Sequence, residues 1–288
     1  MRAGSQVETT IGTLYIVPTP IGNLEDMTFR AIRILKSVHC ILAEDTRLTG
    51  ILCRRYDITT RRISLNEHNC IAKIPWILEQ LQAGHHFALV SDAGCPGISD
   101  PGQPLIRQVI LESLPLEVLP GPSAAVTALM GSGFSMDRFV FEGFLARKGK
   151  ERSTILQALK DERRTILLFE SPLRLGATLR DLAAALGPDR FAVVAREMTK
   201  IHENWHRGSL SGLAEFFRES APRGEVVIVV DGAPAAAPDT DSAAVTEQIR
   251  CALEAGMKVK ETARLLATQT GLPVSHLYRL ALRLKPSQ

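Results

Sequence analysis

The chain is poor in aromatic residues, which fill 5% of its 288 positions, and it holds five cysteines: Cys40, Cys53, Cys70, Cys95 and Cys251. An odd number, widely spaced and without a C-x-x-C pair, argues against a disulfide scaffold or a cysteine zinc site and suits a reducing cytoplasm. Long apolar runs are also missing. Stretches such as Val226–Val230 fall far short of the ~20 residues a membrane-spanning helix needs, and Met1–Gly12 has no hydrophobic region of the secretory kind. No G-x-G-x-x-G follows a strand-like run, so a dinucleotide-binding turn is unsupported. No G-x-S-x-G supplies a hydrolase elbow. Gly149-Lys150 is not a phosphate loop, because Phe144 stands where the earlier glycine belongs and Glu151 follows.

What is present suffices for a packed core. The composition is 45% hydrophobic and 23% charged, too apolar for disorder, and at ~150 residues per domain the length implies about two domains. The net charge of +3 is unevenly placed. Residues 240–288 hold seven Lys/Arg against four acids, and the rest of the chain balances. A small basic tail on a neutral body suits a polyanionic partner; an ordinary solvated helical face explains the charge equally well.

Apolar β-branched runs alternate with amphipathic stretches, the pattern of α/β layers. Strands are expected at Leu14–Val17, Cys40–Ala43, Phe87–Ser91, Phe139–Phe144, Thr165–Phe169, Ala192–Arg196 and Val226–Val230. Helices are expected near 28–37, 71–83, 104–113, 123–131, 151–160, 173–186 and 211–219, with Ser171-Pro172 starting one of them as cap and first-turn proline. Phe144–Arg152 reads as a basic hinge, and Gly232–Ser242 as an Ala/Pro-rich linker. The expected layout is therefore a short tail (1–12), an α/β domain (13–143), a second one (144–232), a linker (233–242) and a basic helical domain (243–288). In the last, helices near 243–255, 259–269 and 274–284 place Ala267, Gly271 and Leu277 at helix-turn-helix spacing. Two packed helices that touch no nucleic acid fit the same spacing.

His202-Glu203-Asn204-Trp205-His206 matches the zinc pattern H-E-x-x-H. The two imidazoles share a face only on a helix. Here the segment follows a strand-like run and meets Gly208, so a loop or strand is expected and no metal is assigned.

Three loops carry the chemistry. Half of Ala93–Pro104 is Gly or Pro, directly after a buried-looking strand. Glycine admits close backbone approach to a ligand, and proline holds the loop rigid. LPGPSA (119–124) leads into a helix that Ser123 can cap, leaving N–H groups for an anion or carbonyl. VPTPIGN (17–23) follows the first strand. Ligands of open α/β sheets collect at the carboxyl ends of strands, so three such loops imply one cleft.

These segments stand in order with AEDTR (43–47), SLNEHN (64–69), FEGFLARKGKER (141–152), FESPLR (169–174), AREMTKIHE (195–203) and GEVVIVV (224–230). Together they resemble the ribosomal RNA methyltransferases that 2′-O-methylate a cytidine of 16S rRNA, a branch of the tetrapyrrole-methylase superfamily using S-adenosylmethionine. The resemblance spans about residues 12–232, and the helical tail matches that branch too. It implies two α/β domains with the donor between them, and a homodimer. Pro18 and Pro20 would lie beside the donor, with Asp92, Ala93, Gly94, Pro96 and Ile98 around its amino-acid or ribose part. Ser123 and Ala124 would give backbone contacts, and Phe169, Glu170 and Met198 would close the site. Cys95, Ala146 and Leu173 depart from the residues common there, which are threonine, proline and histidine. The acceptor implied is cytidine 1402 in the usual 16S count, in naked 16S rRNA or the 30S subunit.

A ribose hydroxyl is a weak nucleophile, so a base or an alkoxide-stabilising cation is needed. Candidates are Glu67, His68, Asp100 and Lys200. Asp100 has an alternative role capping the turn at Pro101, His68 as a surface histidine, and Glu44–Arg47 as an ion pair with a helix cap. Arg147, Lys148, Lys150 and Arg152, with Lys258, Lys260, Arg279 and Arg283 of the tail, are expected to hold RNA phosphates. A methyltransferase acting on a corrin or porphyrin precursor is the rival on the same fold, and a non-catalytic nucleic-acid-binding regulator the rival of another class. Deleting 240–288 is expected to cripple an RNA enzyme and spare a small-molecule one.

Overall fold

A computed structural model describes residues 11–218, 224–234 and 243–284. Its contacts divide the chain into two units, Met1–Ala233 and Pro234–Gln288.

The first unit begins with β1 (Leu14–Ile16), α1 (Phe29–Ser37), β2 (Cys40–Ala43), α2 (Thr46–Arg55), β3 (Arg62–Ser64), α3 (Cys70–Gln82), β4 (Phe87–Val90), α4 (Gln103–Leu111), β5 (Leu116–Val118) and α5 (Ala124–Ser132). The strands form a parallel sheet in the order β3-β2-β4-β1-β5. Every residue of β2 and β4 is buried, as a parallel sheet covered on both faces requires. One face packs Leu14, Leu42, Leu89, Leu81 and Leu105 together. The other packs Ile41, Ala88, Val90, Leu35 and Leu52.

The chain continues through β6 (Phe139–Phe144), α6 (Lys150–Ala158), β7 (Thr165–Glu170), α7 (Leu175–Leu186), β8 (Phe191–Arg196), β9 (Asn204–Ser209), α8 (Leu210–Phe216) and β10 (Val226–Val230). This second sheet is mixed, in the order β6-β7-β10-β8-β9, with β10 antiparallel to both neighbours. Alternate residues serve opposite faces. Ile166, Leu168, Ile228 and Val230 join the core under α7 and α8. Leu167, Val193, Val227 and Val229 meet Ala128 and Leu129 of α5 and Ile21 of the first half. Helix α5 thus packs its apolar side on the second sheet, and the two halves share one hydrophobic cluster.

Several expectations need correction. Phe144–Arg152 is not a hinge: it runs from the last residue of β6 into α6, and β6 already belongs to the second sheet. The boundary expected at 143/144 therefore cuts a strand. Ser171-Pro172 does not start α7. Ser171 to Arg174 form a turn closed by the Arg174 N–H to the Ser171 carbonyl, and the helix begins at Leu175 without a side-chain cap. Strands β3, β5 and β9 and helix α2 were not expected. The zinc-like pattern ends in strand: His206 lies in β9 and packs against Phe216 and Phe217, so its two histidines share no helical face.

The second unit contains α9 (Ala243–Glu254), α10 (Val259–Thr270) and α11 (Val274–Leu284), around Ile249, Ala263, Leu266, Leu277 and Ala281. Gly271 ends α10, its N–H donating to the Ala267 carbonyl. Lys258, Lys260, Arg279 and Arg283 are all exposed. Most of the expected linker, residues 235–242, lies outside the described residues.

Candidate active site

Four loops at the carboxyl ends of β1, β2, β4 and β5 build one side of a cleft. The first and third are zipped together, since Thr19 and Gly94 exchange backbone hydrogen bonds of 2.9 and 3.0 Å, and the Thr19 hydroxyl donates to the Ser91 carbonyl. The fourth is drawn in by Cys95, whose thiol lies 3.3 Å from the Pro122 carbonyl. Only glycine fits at 121, where an added Cβ would stand 2.7 Å from the Pro18 ring. Ser123 caps α5 through the Val126 N–H, which leaves the first amides of that helix facing the cleft.

The second sheet supplies the opposite side. Between Phe141 and Gly143 the pairing of β6 with β7 slips by a residue, a bulge that redirects the end of the strand. Gly143 takes a left-handed φ of 62° there, and an added Cβ would crowd the Ser99 hydroxyl at 3.1 Å. Phe144 is thereby turned to the rim, 5.6 Å from the Phe169 ring. Antiparallel β10 enters the sheet beside the end of β7, with Val226 opposite Glu170, and so brings Glu225 to the same edge.

The cleft between the two sides holds an open cavity of about 480 Å³. Of the residues expected to bind the donor, Asp92, Ala93, Gly94, Ile98, Ser123, Ala124, Phe169 and Glu170 line it, as does Asp100. Four do not. Pro18 is spent on packing against Gly121, Pro96 and Met198 are buried beneath the surface, and Pro20 lines a neighbouring recess of about 230 Å³. Glu44, Ser99 and Glu225 also line the cavity and were not expected there.

Three carboxylates, Glu44, Asp92 and Asp100, set its electrostatics. Burial and the charges of Glu44 and Asp92 push the half-buried Asp100 up to about 7, against a weaker opposing hydrogen bond from Ser91. Glu44 is raised by burial and by Asp92. Asp92 is raised by burial, although its carboxylate accepts a 2.9 Å hydrogen bond from the Asp45 N–H. Asp45 is spent as the cap of α2 and partner of Arg47, which holds its carboxyl down at about 2, whereas Glu44 of the same segment faces the cavity. A group poised near neutrality suits proton transfer, and of the four candidate bases Asp100 alone lines this cavity.

The other three lie elsewhere. Glu67 and His68 sit on an exposed turn before α3, where Asn66 accepts from the His68 N–H, and neither lines the cavity. Lys200 borders the smaller recess and pairs with Glu197 at 2.9 Å and Glu225 at 3.3 Å. Burial pulls its ammonium down, but those partners together raise it, which disfavours the neutral amine a base requires.

Two further corrections come from side-chain orientation. Glu170 borders the cavity with its carboxylate turned inward, accepting from the Ser171 N–H (2.6 Å), the Thr178 hydroxyl (2.5 Å) and Arg174 (2.6 Å). Arg152, expected to meet RNA, is buried and donates to Asp181, Thr178 and the Ala146 carbonyl. Arg147, Lys148 and Lys150 are exposed.

Comparison with known proteins places the fold. Residues 13–214 match the family described as Tetrapyrrole (Corrin/Porphyrin) Methylases. The chain is 46% identical over 276 residues, 96% of its length and 99% of the relative's, to a Synechocystis protein named ribosomal RNA small subunit methyltransferase I. A Thermotoga maritima protein of the same name is 47% identical over 222 residues, 77% of this chain and 99% of that one. The fold is shared with a Thermus thermophilus uroporphyrin-III C-methyltransferase solved with S-adenosylhomocysteine (TM-score 0.57, 16% identity, covering 76% and 97% of the two chains). The chain therefore belongs to the tetrapyrrole methylase family, in the group named ribosomal RNA small subunit methyltransferase I.

Proposed function

We propose that this chain transfers a methyl group from S-adenosylmethionine to small-subunit ribosomal RNA, and that the acceptor is the ribose 2′-OH of a cytidine. The observation that carries the donor is the cavity at the meeting of the two halves. Its ~480 Å³ falls within the range of small-molecule sites, roughly 300–1,000 Å³. Ile98, Phe169, Val226 and Val227 offer apolar walls for a base. Glu44, Asp92 and Asp100 offer negative charge to a cation and acceptors to ribose hydroxyls. The first amides of α5 suit a carboxylate. When bound, S-adenosylmethionine supplies an electrophilic methyl carbon on a sulfonium, open to in-line attack by oxygen.

The chain's own residues do the rest. Asp100, poised near neutrality, accepts the proton that leaves the hydroxyl, and Lys200 contributes positive charge at the edge of the cleft. The cavity walls hold donor and acceptor in line, and orientation of this kind supplies up to about 7–11 kcal/mol in favourable cases. Arg147, Lys148 and Lys150, with Lys258, Lys260, Arg279 and Arg283 of the tail, hold RNA phosphates. The Thermotoga relative is about as long as the first unit alone, which supports placing the chemistry in that unit and an accessory role in the tail. A cytoplasmic homodimer completes the proposal. Among the described residues no helix is long and apolar enough to cross a membrane, and Met130 and Phe139 leave apolar surface exposed.

The test is methyl transfer from labelled S-adenosylmethionine to unmethylated 30S subunits, to naked 16S rRNA and to a tetrapyrrole precursor, with nuclease mapping. A ribose-methylated cytidine is the expected product. Label in the tetrapyrrole alone would refute the RNA substrate and leave the donor site standing.

A further inference from the structure

A recess of about 630 Å³ adjoins the acidic cavity and shares Phe144 and Ser171 with it. Leu145, Ala146, Arg147, Leu173 and Arg174 complete its walls. Two of these residues are costly for a fold to expose. Leu173 is 84% exposed and Phe144 53%, and neither joins a core cluster. Arg147 also borders the next recess along, with Lys148, so positive charge continues outward from the mouth. The recess on the other side of the cavity is smaller, about 230 Å³; Asp92 and Glu225 border it, and the cation there, Lys200, is already paired with Glu197 and Glu225. Of the two extensions of the cleft, only the first combines nucleotide-sized room, apolar walls and a cationic rim.

We infer that this recess receives the target nucleotide of the RNA, turned out of its stack, with its base against Phe144 and Leu173 and a neighbouring phosphate against Arg147. The inference rests on the RNA-methylating reading above and gives that reading its acceptor site. Enzymes that act on one nucleotide extrude it into a pocket, and unstacked bases are held on apolar and aromatic side chains. The wall shared with the donor cavity brings the ribose of such a nucleotide beside the donor, while its base stays in the recess. The recess is preformed. Arg174, anchored on the buried Glu170, donates to the Leu145 carbonyl at 3.2 Å, and Arg152 donates to the Ala146 carbonyl at 3.0 Å. These two bonds fix the backbone within the Phe144–Arg147 rim. Arg174 is therefore a positioning residue, and the exposed Arg147 is the phosphate contact.

The test uses the full chain and compares wild type with Leu173→Asp, Leu173→Met and Phe144→Ala. Readouts are methyl transfer to unmethylated 30S subunits and calorimetric affinity for S-adenosylhomocysteine. Leu173 touches no core, so its variants retain the fold, and the calorimetry verifies that. Leu173→Asp and Phe144→Ala are expected to lower kcat/KM for RNA by about ten- to a hundredfold. Leu173→Asp is expected to keep its S-adenosylhomocysteine affinity within about twofold, and Leu173→Met to retain near wild-type kcat/KM. Unchanged kcat/KM in Leu173→Asp overturns the recess alone. A wild-type protein that methylates no RNA overturns the recess and the RNA reading together, so the two failures are distinguishable.

Discussion

The Arg174 guanidinium lies 2.6 Å from the Glu170 carboxylate, whose side chain is wholly buried while that of Arg174 keeps 27% exposure. A buried carboxylate is tolerated only when its acceptor sites are filled, and here Ser171, Thr178 and Arg174 fill them. Removing one member of such a pair leaves an uncompensated charge. Glu170→Ala is therefore expected to destabilise the protein by about 3 kcal/mol, measured by denaturant unfolding. Unchanged stability with lost donor affinity would instead make Glu170 a donor ligand, as the family resemblance implies.

Arg152 and Arg147 lie five residues apart and are expected to fail differently. Arg152→Ala breaks the bonds to Asp181, Thr178 and the Ala146 carbonyl, so it should cost about 2–3 kcal/mol of stability. Arg147→Ala should leave stability unchanged and reduce the slope of log affinity for RNA against log salt by about one phosphate contact. Salt-dependent binding and unfolding of both variants check the pair. A reduced salt slope with unchanged stability in Arg152→Ala would contradict its inward role.

Much of this fold is legible in the chain, for a physical reason. Strands covered on both faces, such as Cys40–Ala43 and Val226–Val230, must be continuously apolar. Strands at sheet edges escape that constraint. Arg62–Ser64 and Leu116–Val118 are three residues long, and each carries a charged residue; Glu117 uses its charge to meet Arg30. Asn204–Ser209 is an edge strand too polar to show as one. Only two residues separate helix α2 from β2, and the ion pair with a helix cap read at Glu44–Arg47 shows where such a helix would start but not how far it runs. The site divides similarly. Loops after parallel strands announce themselves by glycine and proline, and Asp92 and Asp100 were found that way. Glu225 precedes its strand, and only the antiparallel direction of β10, which the sequence does not display, brings it to the cleft.

Asp100 should make the protein less stable as pH rises. Its carboxyl stands at about 7 in the folded chain against an ordinary value of 3.8. The unfolded state then holds fewer protons between those values, so stability falls as pH rises from about 4 to about 7 and is level above. Asp100→Asn removes the cost. Its gain in Tm over wild type is expected to be larger at pH 8 than at pH 4, and equal gains would mean that the carboxyl is not perturbed.

The same carboxyl predicts how donor affinity varies with pH. Ionised Asp100, Glu44 and Asp92 attract a sulfonium, and protonation removes that attraction. Affinity for S-adenosylmethionine should therefore weaken as pH falls through about 7, the value for Asp100. Asp100→Asn should bind less tightly at pH 8 and flatten the profile. Calorimetry at several pH values measures both, and a flat wild-type profile would remove Asp100 from contact with the donor's charge.

The basic tail marks where the expectation from charge gives way to the comparison. Seven Lys/Arg against four acids in residues 240–288 suggest that an RNA enzyme fails without them. Yet a relative of the same name, matched over 99% of its length, has room for little beyond a counterpart of Met1–Ala233. Methyl transfer itself should then survive removal of residues 234–288, while the phosphate contacts proposed for Lys258, Lys260, Arg279 and Arg283 would be lost. Each lost contact on structured RNA lowers the salt slope by about 0.7–0.9. The shortened protein is thus expected to methylate 30S subunits at low salt with nearly the wild-type kcat, and to fall behind through KM as salt rises. Complete loss of kcat at low salt, with S-adenosylhomocysteine still bound, would return the tail to the catalytic apparatus.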